Sequence, residues 1–144
     1  MQNRFLYKNE GRAVCTVAIT DDNKVIMARQ YRPGPEKVLL EIPGGYVDEE
    51  EDPVKAAERE LLEETGYSGE VKFVTETFEC AYSDMNRYCM VATNCKKVAE
   101  AKLDLDEFAE VVLVSLDEFR EILRSGQMTD IEVGYLCLDY LGLL

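Results

Sequence analysis

Glu60, Glu63 and Glu64 follow one another at i, i+3 and i+4 in the segment Pro53 to Thr65. On a helix that spacing turns three carboxylates to one face. Like charges at this separation repel by about 0.2–0.5 kcal/mol per pair. A hard divalent cation reverses that repulsion, and carboxylate oxygens are what magnesium prefers, with manganese as the alternative ion. The competing reading is a solvated acidic helix face, the usual fate of a Glu-rich segment. Arg59, the flanking glycines Gly45 and Gly66, and the spacing back to Glu51 weigh against it. The chain has no histidine. That removes Ser-His-Asp and Cys-His catalysis and any His-ligated metal. A general base must then be a carboxylate or, as a weaker choice, a lysine, tyrosine or thiolate.

The element that has to position these glutamates is bounded by clear signals. Asp52 offers a capping carboxylate, and Pro53 has no N–H to lose at the first helical position. Val54, Ala57, Leu61 and Leu62 recur at helical spacing, and Gly66 supplies a stop. Gly44-Gly45 permits a turn that side chains would block and lets backbone approach an ion or phosphate, although an ordinary hairpin turn has the same composition. Glu51 suits bracing of the helix better than metal ligation.

Strand-like runs surround this helix. Ala13 to Thr20 is β-rich, and Asp21-Asp22-Asn23 reads as a hairpin turn into Val25 to Arg29. Arg32 to Pro35 is a loop, and Val38 to Ile42 a short strand. Val71 to Phe78 and Arg87 to Thr93 are further strands joined by the loop Cys80 to Asn86. Lys96 to Glu107 is polar and reads as a loop over the site, and Phe108 to Val114 as a last strand. Two helices complete the chain. One starts at Ser115 with Glu118 as a capping box; the other starts at Thr129 with Glu132 in the matching place. The apolar face of the second (Ile131, Val133, Leu138 among others) suits core or dimer surface. Strands with helices before and after them predict an α/β (α+β) sandwich with a mixed sheet.

The 144 residues contain no repeat or linker and are read as one domain, residues 1–144. A formal net charge of −13 argues against nucleic-acid backbones and anionic membranes as partners. Between Glu41 and Glu64 ten acidic residues face two basic ones, Lys55 and Arg59, so the acidity is concentrated where a metal would bind. No secretory pattern or membrane-length apolar run is visible. The five cysteines have no CxxC spacing and read as small buried hydrophobes in a reducing cytoplasm.

Gly45, Glu51, Arg59, Glu60, Glu63, Glu64 and Gly66 occupy the seven fixed positions of the signature of Nudix hydrolases, and the chain resembles that family. The resemblance implies an α/β/α sandwich with the signature as loop–helix–loop. It implies hydrolysis of a nucleoside diphosphate linked to another group, by water attack on the pyrophosphate with Mg²⁺. By position, Glu60 and Glu64 match the principal metal ligands and Glu63 an additional one. The carbonyl of Gly44 matches a backbone ligand, and Arg59 the arginine that orients the glutamates.

A second likeness extends further. Ala28 to Arg32, then Leu40 to Gly45, and the ending from Asp106 through Asp130 are similar to ADP-ribose pyrophosphatases. This implies a nucleotide substrate near Arg32 and Glu41, and a homodimer. The bland readings of those two residues are a surface salt bridge and a strand-end charge. Two departures stand out. About a dozen residues precede the first core strand where the family has more. The loop Ala81 to Asn86 lacks the family's proline and has Met85 or Asn86 near the expected catalytic glutamate. Asp84 is the nearest carboxylate for the role of base, and Glu107 a more distant one. Tyr82 is a candidate for stacking on a base. Three functions follow. The first is a Mg²⁺-dependent pyrophosphatase of ADP-ribose or a related nucleoside diphosphate sugar. The second is a nucleoside triphosphate pyrophosphohydrolase, oxidised nucleotides included. The third is a non-catalytic nucleotide-sensing module.

Overall fold

The computed structural model describes residues 11–102 and 109–144. Its elements run β1 (Arg12–Thr20), β2 (Lys24–Arg32), β3 (Lys37–Glu41), β4 (Gly44–Tyr46), α1 (Pro53–Thr65), β5 (Tyr67–Phe78), β6 (Asn86–Lys97), β7 (Ala109–Ser115), α2 (Leu116–Ser125) and α3 (Ile131–Leu141). The sheet order is β3-β2-β1-β6-β5, with β4 beside β1 and β7 beside β2. Among the described residues only β1 and β6 are parallel, so the sheet is mixed as expected.

Side chains of β1 alternate between two covered faces. Cys15, Val17 and Ile19 join Phe119, Leu123, Val133, Cys137 and Leu138 of α2 and α3 in one core. Val14 packs with Ala56 and Ala57 of α1, and Ala18 with Leu61. A strand buried on both faces reads as a continuous apolar run, which is what Ala13 to Thr20 is. Ala56 and Ala57 are fully buried, and their small size lets α1 lie close to the sheet.

The cleft comes from a local divergence. β1 and β2 pair at Ile19 and Val25. Beyond that point β2 takes β3 as its neighbour, while β1 takes β4. The bend Ile42-Pro43 joins the two inserted strands, and the Pro43 carbonyl accepts the Thr16 N–H at 2.9 Å. The glycine pair expected as a turn is therefore a short strand. It needs glycine because a Cβ on Gly44 would sit 2.5 Å from the Val14 carbonyl oxygen.

Other boundaries shift for physical reasons. β2 runs on to Arg32, β5 begins at Tyr67 directly after α1, and β6 continues to Lys97, each carried by ladder partners. The loop expected over Lys96 to Glu107 therefore starts later. Its described part packs on the end of α1, with Val98 and Ala99 N–H on the Gly66 carbonyl and Lys102 N–H on that of Glu63. Glu107 and Phe108 lie outside the described residues. Ser115 caps α2 by accepting the Glu118 N–H. The matching box at Thr129 does not form: α3 starts one residue later, after Asp130, because Thr129 and Glu132 bond elsewhere. Asp52 likewise makes no side-chain cap. Of the cysteines expected in the core, Cys15, Cys89, Cys95 and Cys137 are buried but Cys80 is exposed, and none is in a disulfide. Among the described residues no helix is long and apolar enough to cross a membrane.

Candidate active site

The hub of the site is Arg59. Its Nε and one terminal nitrogen donate to Glu51 at 3.0 Å each, and the same nitrogen donates to the Tyr46 carbonyl at 3.1 Å. The other terminal nitrogen reaches Glu60 at 2.9 Å and Glu63 at 3.4 Å. Glu51 also accepts the Asp48 N–H at 3.0 Å, so it ties the loop before α1 to the helix. Hydrogen bonds from Arg59 pull the Glu51 carboxyl down to about 2 and raise the arginine further above its ordinary value. Glu51 thus braces the helix.

Glu60 moves the other way. Burial raises its pKa; Arg59 opposes the rise and the charge of Glu63 adds to it. Its carboxyl lies over Gly45, where a Cβ would overlap it, which explains the glycine at that position. Glu64 accepts the Gly44 N–H at 3.3 Å and stands within hydrogen-bonding reach of Glu60. The three glutamates do share a helix face. Among the described residues, however, no three acidic or thiol groups stand closely enough to hold an ion between them. Arg59 supplies the positive charge that Glu60 and Glu63 face. The donor set still fits a hard cation: two carboxyls in mutual contact need a proton or a cation between them, and the available atoms are oxygens.

Two adjoining clefts share the glycine strand. One, of about 580 Å³, is lined by Arg59, Glu60, Glu63, Glu64 and Lys102. The other, of about 470 Å³, is lined by Glu41, Glu64, Glu79, Met85, Arg87 and Asp130. Gln30, Arg32, Gly44 and Gly45 belong to both. The sequence candidates Arg32, Glu41, Gly44, Glu60, Glu63 and Glu64 are therefore brought together. Arg32 and Glu41 also bond to each other, by Nε at 2.8 and 3.0 Å and by a terminal nitrogen at 2.6 Å. The salt-bridge reading of Arg32 thus holds, but inside a cleft, with Glu41 almost fully buried.

Two candidates are placed elsewhere. Asp84 is exposed and lines neither cleft. The Met85 N–H bonds to the Ser83 hydroxyl, and that turn directs Met85 inward and Asp84 outward. Tyr82 is 65% exposed in the Cys80–Ser83 turn and lines neither cleft. The loop carboxylate that does line the cleft is Glu79. Sequence reading also missed Arg87, Thr129 and Asp130. Arg87 opens a strand-like run, where a charged residue beside apolar ones is the signal that could have found it.

The NUDIX domain model matches residues 9–131. A methanol dehydrogenase activator of Bacillus methanolicus is 38% identical over 137 residues, spanning 88% of this chain and 72% of that protein. An ADP-ribose pyrophosphatase of Bacillus subtilis (strain 168) is 34% identical over 143 residues, spanning 97% and 76%. Among solved structures, an ADP compounds hydrolase superposes with a TM-score of 0.77 at 25% identity, covering 92% of this chain and 75% of that one.

Proposed function

The chain belongs to the NUDIX family and is a pyrophosphohydrolase, and on that premise we propose that it hydrolyses ADP-ribose or a related nucleoside diphosphate sugar. The observation that carries this reading is a pair of adjoining clefts that brings the α1 glutamates beside Arg32 and Glu41. Its likeness to an ADP-ribose pyrophosphatase over nearly the whole chain supports the substrate class.

Glu60, Glu63 and Glu64 are the residues that would hold a divalent cation, with the Gly44 carbonyl as a further donor. When bound, that ion supplies positive charge to the pyrophosphate oxygens and makes a nearby water more acidic. Arg59 keeps two of the glutamates oriented through its planar fork. Arg32, held by Glu41, places its guanidinium in the cleft to meet a substrate phosphate. Glu79 takes the role of base that sequence assigned to Asp84, since it reaches the cleft. The five free cysteines suit a reducing cytoplasm. A homodimer belongs to this reading, and gel filtration at the 16.4 kDa of one chain would refute it.

The test is a panel of ADP-ribose, other nucleoside diphosphate sugars and nucleoside triphosphates with Mg²⁺, the products identified by mass. AMP plus ribose phosphate from ADP-ribose supports the reading. Pyrophosphate released from a triphosphate as the main activity replaces it with the triphosphate hydrolase, and tight binding without turnover with the sensing module.

A further inference from the structure

The cleft of about 470 Å³ is also lined by Arg87, Thr129 and Asp130, which the reaction just described does not use. Arg87, on β6, is more than nine-tenths buried. Its two terminal nitrogens bond to Asp130 and Glu132 at the start of α3, and one also donates to the Phe78 carbonyl at 3.1 Å. Its Nε is buried with no hydrogen-bond partner among the described residues. Arg87 is buried and would be left an uncompensated charge if both carboxylate contacts were lost, which holds it in place.

Asp130 is held by this contact in an uncommon backbone conformation. It adopts φ 56° and ψ 37°, a left-handed conformation that costs a non-glycine residue free energy and persists only where its surroundings enforce it. The Cys15 thiol also bonds to its carboxylate. The preceding residue, Thr129, is thereby set against β3: its hydroxyl donates to Glu41 at 3.2 Å. That is the same carboxylate oxygen that takes Arg32 Nε at 2.8 Å.

We propose that Arg87 is a positioning residue: through Asp130 and Thr129 it fixes the carboxylate of Glu41, and through Glu41 it fixes the orientation of Arg32 in the cleft. Five residues, Arg87 of β6, Asp130 and Thr129 just before α3, Glu41 of β3 and Arg32 of β2, form one continuous line of contacts. Glu41 is almost fully buried and receives two arginine nitrogens and one hydroxyl. Removing the hydroxyl frees the carboxylate to turn, and the guanidinium turns with it.

The proposal rests on the reading that Arg32 contacts substrate, so its test has one arm that needs no substrate. Thr129→Val removes the hydroxyl but keeps the shape and leaves the Arg87–Asp130 pair in place. Arg87→Met breaks the line at its origin, and Thr129→Ser keeps the hydroxyl. In ¹⁵N NMR the Arg32 Nε–H signal, assigned by its loss in Arg32→Lys, is expected to shift and exchange faster in Thr129→Val and to return in Thr129→Ser. In the ADP-ribose assay, Thr129→Val is expected to raise KM about tenfold with kcat within about threefold, the scale of one hydrogen bond to a charged group. Arg87→Met, where folded, should do the same, and adding Thr129→Val to it should cost little more, since both act on one line. An Arg32 signal unchanged in Thr129→Val, with KM also unchanged, overturns the proposal, whatever happens to melting temperature. A wild-type protein inactive on ADP-ribose overturns the substrate reading alone, and the NMR arm still decides the positioning role.

Discussion

At the residue scale the site is a set of carboxylates kept apart in character by one arginine. Arg59 draws the Glu51 carboxyl from 4.5 to about 2. A carboxyl lowered by folding contributes stability that is complete above its unfolded value and is lost as pH falls through the folded one. Thermal melts of Glu51→Gln should therefore show a flatter dependence on pH between about 4.5 and about 2 than wild type, and a lower melting temperature at neutral pH. Equal slopes in the two proteins would show that the brace has no energetic weight. Glu79 and Asp84 make a second test. If the base acts from within the cleft, Glu79→Gln lowers kcat by roughly a hundredfold, the lower end for general base catalysis, while Asp84→Asn changes it by less than a factor of about three. The reverse order would restore Asp84. Sequence spacing could place Glu60, Glu63 and Glu64 on one helix face, because helical geometry alone decides that. It could not orient Asp84 or Tyr82, which depend on a local turn closed by the Ser83 hydroxyl.

At the element scale α1 was legible to the residue, Pro53 to Thr65, since proline at its start and Gly66 in the left-handed conformation at its end are local signals. The start of α3 was not. Thr129 and Glu132 have the right types for a capping box, but tertiary partners take both: Glu41 the first, Arg87 the second. The strand β4 was hidden for a related reason: two glycines favour a turn locally, and only the divergence of β1 from β2 makes them a strand. Gly45 of that strand lies directly against the Glu60 carboxyl. In Gly45→Ala the new methyl would overlap the Glu60 carboxyl. The expected result is a fall in kcat of at least about tenfold, with secondary structure by circular dichroism unchanged, as for a displaced group in a tightly oriented site. Full activity in this variant would mean that Glu60 does not need its place over the glycine.

At the scale of the whole molecule, an acidic chain of net charge −13 carries out chemistry proposed for an anionic substrate. The fold concentrates its carboxylates at the divergence of β1 and β2 and sets Arg32 and Arg59 among them, so local cations offset the overall sign. The mixed sheet between helices could be read from the order of strand-like runs and helices along the chain. The pairing that opens the cleft could not, because it depends on contacts between residues distant in sequence, such as Ala28 with Glu41 and Cys15 with Gly44. The central claim is that the glutamates of α1 drive hydrolysis of a pyrophosphate. Its most direct test is turnover of ADP-ribose by Glu64→Gln in saturating Mg²⁺, with folding checked by circular dichroism. A folded variant at least roughly a hundredfold slower than wild type is predicted, the scale for one key electrostatic group. A folded variant turning over at the wild-type rate would contradict it.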